Sequence, residues 1–203
     1  MILDLLRRRA SVRVFRDAPV PADVITQMVE AARLSPSGGN EQPWLFGIVT
    51  DRQKILAIAD ASYGQDWIAS APLIVVLCAV LVPDERGGRD VLMKRFPAFA
   101  DSIARMPTGL YAALTLEEHQ TKIAGAHMAL AALEHGIGST WISLFDVSRV
   151  ASLLRLPVGI VPSEMLAFGY PSAAVEQKPK KSKDEVVFLD VFGRGHHASG
   201  HAG

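Results

Sequence analysis

The chain has 203 residues, of which 49% are hydrophobic, 21 are basic, 21 are acidic and one is cysteine. That length hides about 70% of the unfolded surface, ample for one cored domain without staples. A lone cysteine excludes an internal disulfide framework and any Cys-rich metal site, and balanced charge gives no sequence-independent pull toward nucleic acid or lipid.

The opening MILDLL places Ile2, Leu5 and Leu6 on a short amphipathic start facing the core. It meets Arg7, Arg8 and Arg9 with no apolar stretch of signal-peptide length, so a cytoplasmic location is expected. From Ala22 to Leu34, Val24, Ile25, Met28, Val29 and Ala32 recur at the spacing of a helix with one buried stripe. A second helix follows Asp51, with Ile55, Leu56 and Ile58 inward. The stretch 83–114 is broken by three glycines, Pro97 and Pro107 and holds Phe96, Phe99, Met106 and Tyr111. It fits a lid over a ligand and a pair of surface helices burying their own aromatics about equally well.

Thr115 and Glu118 form a capping-box pattern, starting a helix that runs to His135 and stops at Gly136. Its Ala124, Gly125, Ala126, Ala129, Ala131 and Ala132 let the backbone approach a neighbour closely, as in a central helix or a subunit contact. Strands are expected at Trp44–Thr50, Leu73–Val82, Ser139–Leu144, Met165–Phe168 and Val186–Val191, all rich in branched or aromatic residues. The longest apolar run, Ala71–Val82, contains Pro72 and falls short of the roughly 20 residues needed to cross a bilayer. Helices and strands do not alternate regularly, which favours α+β over a doubly wound parallel sheet. Composition stays even through residue 192, giving one domain over 1–192. Residues 193–203 read as a flexible Gly/His-rich tail, with metal binding through His196, His197 and His201 as the less favoured alternative.

Familiar signatures are missing: there is no phosphate loop of the GxxxxGK[ST] type, no GxGxxG after a strand, no HExxH and no GxSxG. His119, His127 and His135 lie eight residues apart on one helix, too far to share a metal. Cys78 sits mid-strand among apolar neighbours, where burial suppresses nucleophilicity. Positive charge gathers in RRRASVR (Arg7–Arg13) and KPKKSK (Lys178–Lys183). In an extended segment Arg9, Ser11 and Arg13 share one side, offering two guanidinium forks and a hydroxyl to a phosphate. Each cluster alone also fits solvated surface; both together fit one terminal phosphate. SPSGGNEQPW (Ser35–Trp44) turns at Pro36, Gly38, Gly39 and Pro43 and exposes Ser37, Asn40 and Gln42 beside Trp44. It reads as a helix-to-strand loop or as the wall for a flat, polar-edged ligand.

Together these segments resemble the FMN-dependent nitroreductase family. RASVRVF (Arg9–Phe15) matches the opening Arg-Arg-Ser-x-Arg run except at Ala10. Pro19-Val20-Pro21 leads to Ala31-Ala32, then comes the SPSGGNEQPW loop. WIASAPLIVVL (Trp67–Leu77), IAGAHMALAALEHGIGSTWISLFD (Ile123–Asp146) and FGYP (Phe168–Pro171) before KPK follow in the family's order, over Leu6–Val187. The resemblance implies an α+β sandwich with a mostly antiparallel central sheet flanked by helices, in an intertwined homodimer with FMN at the subunit interface.

It also implies site residues. Arg9, Ser11 and Arg13, with Lys178 and Lys180, would hold the FMN phosphate, and Ala10 lies among them where the family has a second arginine. Pro36, Ser37, Gly38 and Asn40 would line the cofactor from one or the other subunit. Trp141, Ile142, Ser143 and Leu144 would pass the isoalloxazine edge, the Leu144 backbone amide near N5. No side chain acts as nucleophile. Phe96, Phe99, Met106 and Tyr111 would choose the substrate. Lys180 replaces a commoner arginine, and Ala126-His127 stand where many members carry Gln-Asn. The implied activity passes hydride from NAD(P)H through the flavin to a small electron-poor acceptor, nitroaromatic or quinone-like. Alternatives are a reductive dehalogenase or flavin-modifying member of the same fold, a non-catalytic FMN-binding or storage protein, and a purely structural α+β dimer. Neither a nucleic acid nor a membrane partner is expected.

Overall fold

The computed structural model describes residues 2–81, 89–107, 111 and 116–191. The tail, the Thr115 end of the expected cap and the rest of 83–114 lie outside these. Four strands, β1 (Trp44–Val49), β2 (Leu73–Val80), β3 (Gly138–Ile142) and β4 (Ile160–Gly169), form one sheet in the order β1-β2-β4-β3, every pairing antiparallel. Among the described residues the helices are α1 (Ile2–Arg8), α2 (Ala22–Arg33), α3 (Arg52–Asp60), α4 (Arg89–Arg95), α5 (Ala100–Ala104), α6 (Leu116–Glu134) and α7 (Val147–Leu154). None of them is long and apolar enough to cross a membrane.

β2 explains the layering. Successive side chains of a strand point to opposite faces, and β2 is apolar at every position, so both faces need cover. Leu73, Val75 and Leu77 pack with Met28 and Ala32 of α2 and Met128 and Ala132 of α6. Ile74, Val76 and Cys78 pack with Ile55 and Ile58 of α3 and Val150 of α7. The result is a helix–sheet–helix sandwich in which each fully buried aliphatic side chain contributes about 1.5–3 kcal/mol. α6 lies close to the sheet because of Gly125: a Cβ there would stand 2.6 Å from Leu77 Cδ1 and 2.8 Å from Trp141 Cη2. The expected central helix is therefore present. It ends at Glu134, and the turn that follows passes through Gly136, whose φ of 73° suits glycine.

Cys78 is buried, and burial pushes its thiol up to about 11. The native protein should resist thiol alkylation near neutral pH and react with one equivalent once unfolded; labelling of the native state, followed by mass, would show that β2 opens.

Four expectations need correction. Val186–Val191 is not a strand: Val186, Val187, Phe188, Leu189 and Val191 are 49–64% exposed, and among the described residues no sheet edge pairs with them. Branched residues favour strands by fitting a pleated neighbour, which is absent here. Ile2 and Leu6 do not enter the core: they are 63% and 46% exposed, and the α1 face that holds Ile2 and Leu5 opens on a cleft of about 800 Å³ beside Leu34, His127 and Leu130. Leu56 is 40% exposed because at 100° per residue it falls outside the stripe of Ile55, Ile58 and Ala59. β4 begins at Ile160, well before Met165. Pro162 is accommodated opposite Cys78, where the register shifts and the ladder is interrupted, and the buried Glu164 meets the Lys122 ammonium at 3.2 Å.

Candidate functional site

Residues 11–16 lie along the end of the sheet, between the start of β3 and the chain leaving β4. Ser11 bridges Ser139 in parallel and Phe15 bridges Pro171 antiparallel. The Val12 N–H donates to the Ser139 carbonyl (3.1 Å), the Arg16 N–H to Tyr170 (2.8 Å), and the Ser172 N–H to Val14 (3.1 Å). Thr140 adds a hydroxyl bond to the Val12 carbonyl. Val12 and Phe15 are buried, 4% and 6% exposed, while Arg13 and Val14 face out, so hydrophobic anchoring fixes which side the cations take.

The lysines arrive by a different route. After Pro171 the chain returns past the amino-terminal segment, held by Gln177, whose amide Nε2 donates to the Arg9 carbonyl (2.8 Å) and the Leu6 carbonyl (3.3 Å), 168 and 171 positions away. Arg9, Ala10, Ser11, Arg13, Lys178 and Lys180 thereby line one cavity of about 250 Å³, with Glu176 and Gln177 on its wall. Four cations face a single carboxylate there. Arg13 also lies over the Trp67 ring, 5.9 Å from its centroid. Guanidinium forks, ammonium groups and a hydroxyl are the donors that the three oxygens of a phosphate monoester accept from, so this set fits the tail of FMN.

The remaining residues lie elsewhere. Pro36, Ser37, Gly38 and Asn40 are not part of that cavity. Their loop is fixed from both ends: the Ser35 hydroxyl meets His127 Nδ1 at 2.7 Å, and the Gly38 N–H donates to the Gln120 side-chain oxygen of α6 at 2.6 Å. Ser37 turns inward, accepting from the Gln42 N–H at 2.9 Å. Asn40 and Gln42 both take positive φ, and their side chains are exposed. The Ile142 side chain is buried in the core, so Trp141–Leu144 offers mainly backbone and the exposed Ser143 and Leu144. Gln65 Nε2 donates to the Leu144 carbonyl at 2.7 Å, and among the described residues the Leu144 N–H has no partner. Phe96 and Phe99 are exposed and Met106 is half-buried, whereas Tyr111 is buried beneath the Arg89 guanidinium, 4.4 Å from its ring centre.

Two positioning residues escaped the sequence reading. Gln177 stands directly before the basic run and signalled only as one polar residue among many; Gln120 gave no signal. His127 of α6 is met by Ser35 and His135, just past the end of α6, by Gln27 (3.1 Å), and among the described residues no His, Cys, Asp or Glu cluster could hold a metal.

The fold is an α+β sandwich whose sheet end carries a cavity lined by four cations, and this frames the class of protein. The Nitroreductase family pattern matches residues 6–170, and the chain belongs to that family of oxidoreductases. It is 31% identical to a protein of Thermus thermophilus named NADH dehydrogenase, over 81% of this chain and 84% of the relative. It is 25% identical to the FMN reductase [NAD(P)H] of Bacillus subtilis, over 94% and 74% respectively. Among solved structures, a Nitroreductase Family Protein of Streptococcus pneumoniae superposes with a TM-score of 0.73 at 26% identity, over 93% of this chain and all of that one.

Proposed function

We propose that the chain is an FMN-dependent oxidoreductase that takes reducing equivalents from NAD(P)H and delivers them to a small electron-poor acceptor. The observation that carries this reading is the meeting of Arg9 and Arg13 with Lys178 and Lys180 around one cavity, from opposite ends of the chain. When bound, the flavin supplies the hydride chemistry, accepting from the nicotinamide and yielding to a nitroaromatic or quinone-like acceptor.

The chain's own residues bind and orient. Arg9, Arg13, Lys178 and Lys180 neutralise the phosphate, while Ser11 and the Ala10 backbone close its near side. Leu144 presents an N–H without a partner among the described residues, from a loop that Gln65 steadies through the Leu144 carbonyl. Pro36, Ser37, Gly38 and Asn40 stand outside the phosphate cavity and serve a flavin shared between two protomers. Exposed Ile2, Leu3 and Leu6 on α1 and the exposed apolar residues of Val186–Val191 support such a homodimer, since a second copy would cover them. Phe96, Phe99 and Met106 select the acceptor from the 83–114 segment, and Tyr111, buried beneath Arg89, acts there only through packing.

The test is an absorption spectrum of the purified protein, before and after anaerobic addition of NADH or NADPH. A yellow protein that bleaches rapidly with one donor is the expected result. A yellow protein that bleaches with neither is a flavin-binding protein without this activity, and a colourless one that FMN does not stabilise thermally defeats the proposal altogether.

A further inference from the structure

A second cavity, of about 330 Å³, lies against the same amino-terminal segment and shares Arg9, Ala10 and Val175 with the phosphate cavity. Its charged lining is Arg8, Arg9 and Arg16, with no aspartate or glutamate. That one-sidedness is unusual in a chain with equal numbers of acids and bases. Several other arginines are matched: Arg33 with Glu30 at 2.7 Å, Arg149 with Asp60 at 2.5 Å, and Arg7 with Asp4 at 3.2 Å. Arg8, Arg9 and Arg16 have no ion pair among the described residues. Arg16 is also held in place, its Nε donating to the Pro171 carbonyl at 2.9 Å, which leaves its two terminal nitrogens available. The other walls are apolar, including Leu133, Ile137, Pro171 and Val175.

With Arg9 given to the flavin phosphate, the two remaining guanidinium groups, Arg8 and Arg16, beside an apolar wall suit a phosphate monoester attached to a flat ring. The volume falls in the range of small-ligand pockets, about 300–1,000 Å³. Position narrows the choice. Gly138 forms part of this cavity, and β3 runs from it to Ile142, about 13 Å away at the usual strand rise. Beyond Ile142 come Ser143 and Leu144, which the proposed function assigns to the flavin ring. A dinucleotide stretched along that line has its nicotinamide at one end and its adenosine at the other.

Resting on that proposed function, we infer that this cavity receives the 2′-phosphoadenosine end of the reduced donor, Arg16 gripping the 2′-phosphate, and that NADPH is the preferred donor. Arg8 also faces the wider cleft that carries Asp4 and Glu134, so Arg16 is the more discriminating position to change.

Calorimetric titration of the flavin-loaded enzyme with adenosine 2′,5′-bisphosphate, 5′-AMP and inorganic phosphate reads the site without turnover. The bisphosphate should bind roughly ten- to a hundredfold more tightly than 5′-AMP, the range of a single charge-assisted hydrogen bond. Arg16→Met should erase that difference and raise the KM for NADPH by a similar factor, leaving kcat, the NADH parameters and flavin content unchanged; Arg16→Lys should restore part of the preference. Equal binding of the bisphosphate and 5′-AMP by the wild-type enzyme overturns the inference even if Arg16→Met fails to fold, as does an equal loss with both donors in a folded variant. Because all of this is measured on yellow protein, failure here stays distinct from failure of FMN binding, which a colourless preparation reports.

Discussion

On the proposed FMN site, replacing both Arg9 and Arg13 by alanine is expected to give a colourless preparation where the wild-type protein should purify yellow. Each arginine supplies a charge-assisted hydrogen bond to phosphate, worth about 1.5–3 kcal/mol. Losing two weakens FMN binding by roughly two to four powers of ten. Lys178, Lys180 and Ser11 remain, but a lysine is a point charge without the fork that matches two phosphate oxygens. The apoprotein fold should survive. Neither arginine forms an ion pair among the described residues, and the Arg13 contact with Trp67 is exposed and contributes at most about 1 kcal/mol. The far-ultraviolet circular dichroism of the variant should therefore match the wild-type apoprotein. The melting temperature should lose only the increment that bound FMN adds. A double variant that keeps its full flavin spectrum would exclude this cavity as the phosphate site.

Why the cations meet was only half visible in the sequence. The alternation of Arg9, Ser11 and Arg13 about an apolar Val12 is a local pattern, and it predicts their common side once the segment is extended. Their approach to Lys178 and Lys180 depends on how the chain turns after β4 and on one side-chain amide, that of Gln177, and no periodicity encodes a contact 168 positions long. β2 was legible because continuous hydrophobicity needs cover on both faces. The amino-terminal half of β4 was not, since Pro162, Ser163 and Glu164 look like loop residues until the bulge opposite Cys78 and the Lys122 ammonium are in place. Val186–Val191 shows the reverse error. Its residues have strand propensity, but propensity measures how well side chains pack against a neighbour, and a single chain supplies none there. The apolar face of α1 is the same case in helical form: its spacing is right, and what it faces is a cleft. Both misplacements concern surfaces that the proposed homodimer would cover.

The second large effect is expected from the smallest substitution. Gly138→Ala adds one methyl group at the first residue of β3, where a Cβ would lie 2.4 Å from Val12 Cγ2, 3.1 Å from Val12 Cβ and 3.2 Å from Pro171 Cγ. The backbone there is not in the left-handed region, so the conflict is purely steric. A flexible neighbour would turn aside, but valine is stiff at χ1 and this one is tied at both backbone groups, its N–H to the Ser139 carbonyl and its carbonyl to the Thr140 hydroxyl. The amino-terminal segment must shift as a unit, carrying Ser11 and Arg13 with it. Overpacking of this kind costs about 1–3 kcal/mol, and each kcal/mol lowers the melting temperature of a chain this size by about 2–4 °C. Flavin affinity should fall as well, because the phosphate donors sit on either side of Val12. A double-mutant cycle isolates the cause. Val12→Ala removes the clashing methyl groups, so adding Gly138→Ala to it should cost much less than in the wild-type background, a coupling of at least 0.5–1 kcal/mol between touching residues. Additive losses in the two backgrounds would mean that Gly138 is not the point at which the sheet sets the position of the phosphate-binding segment.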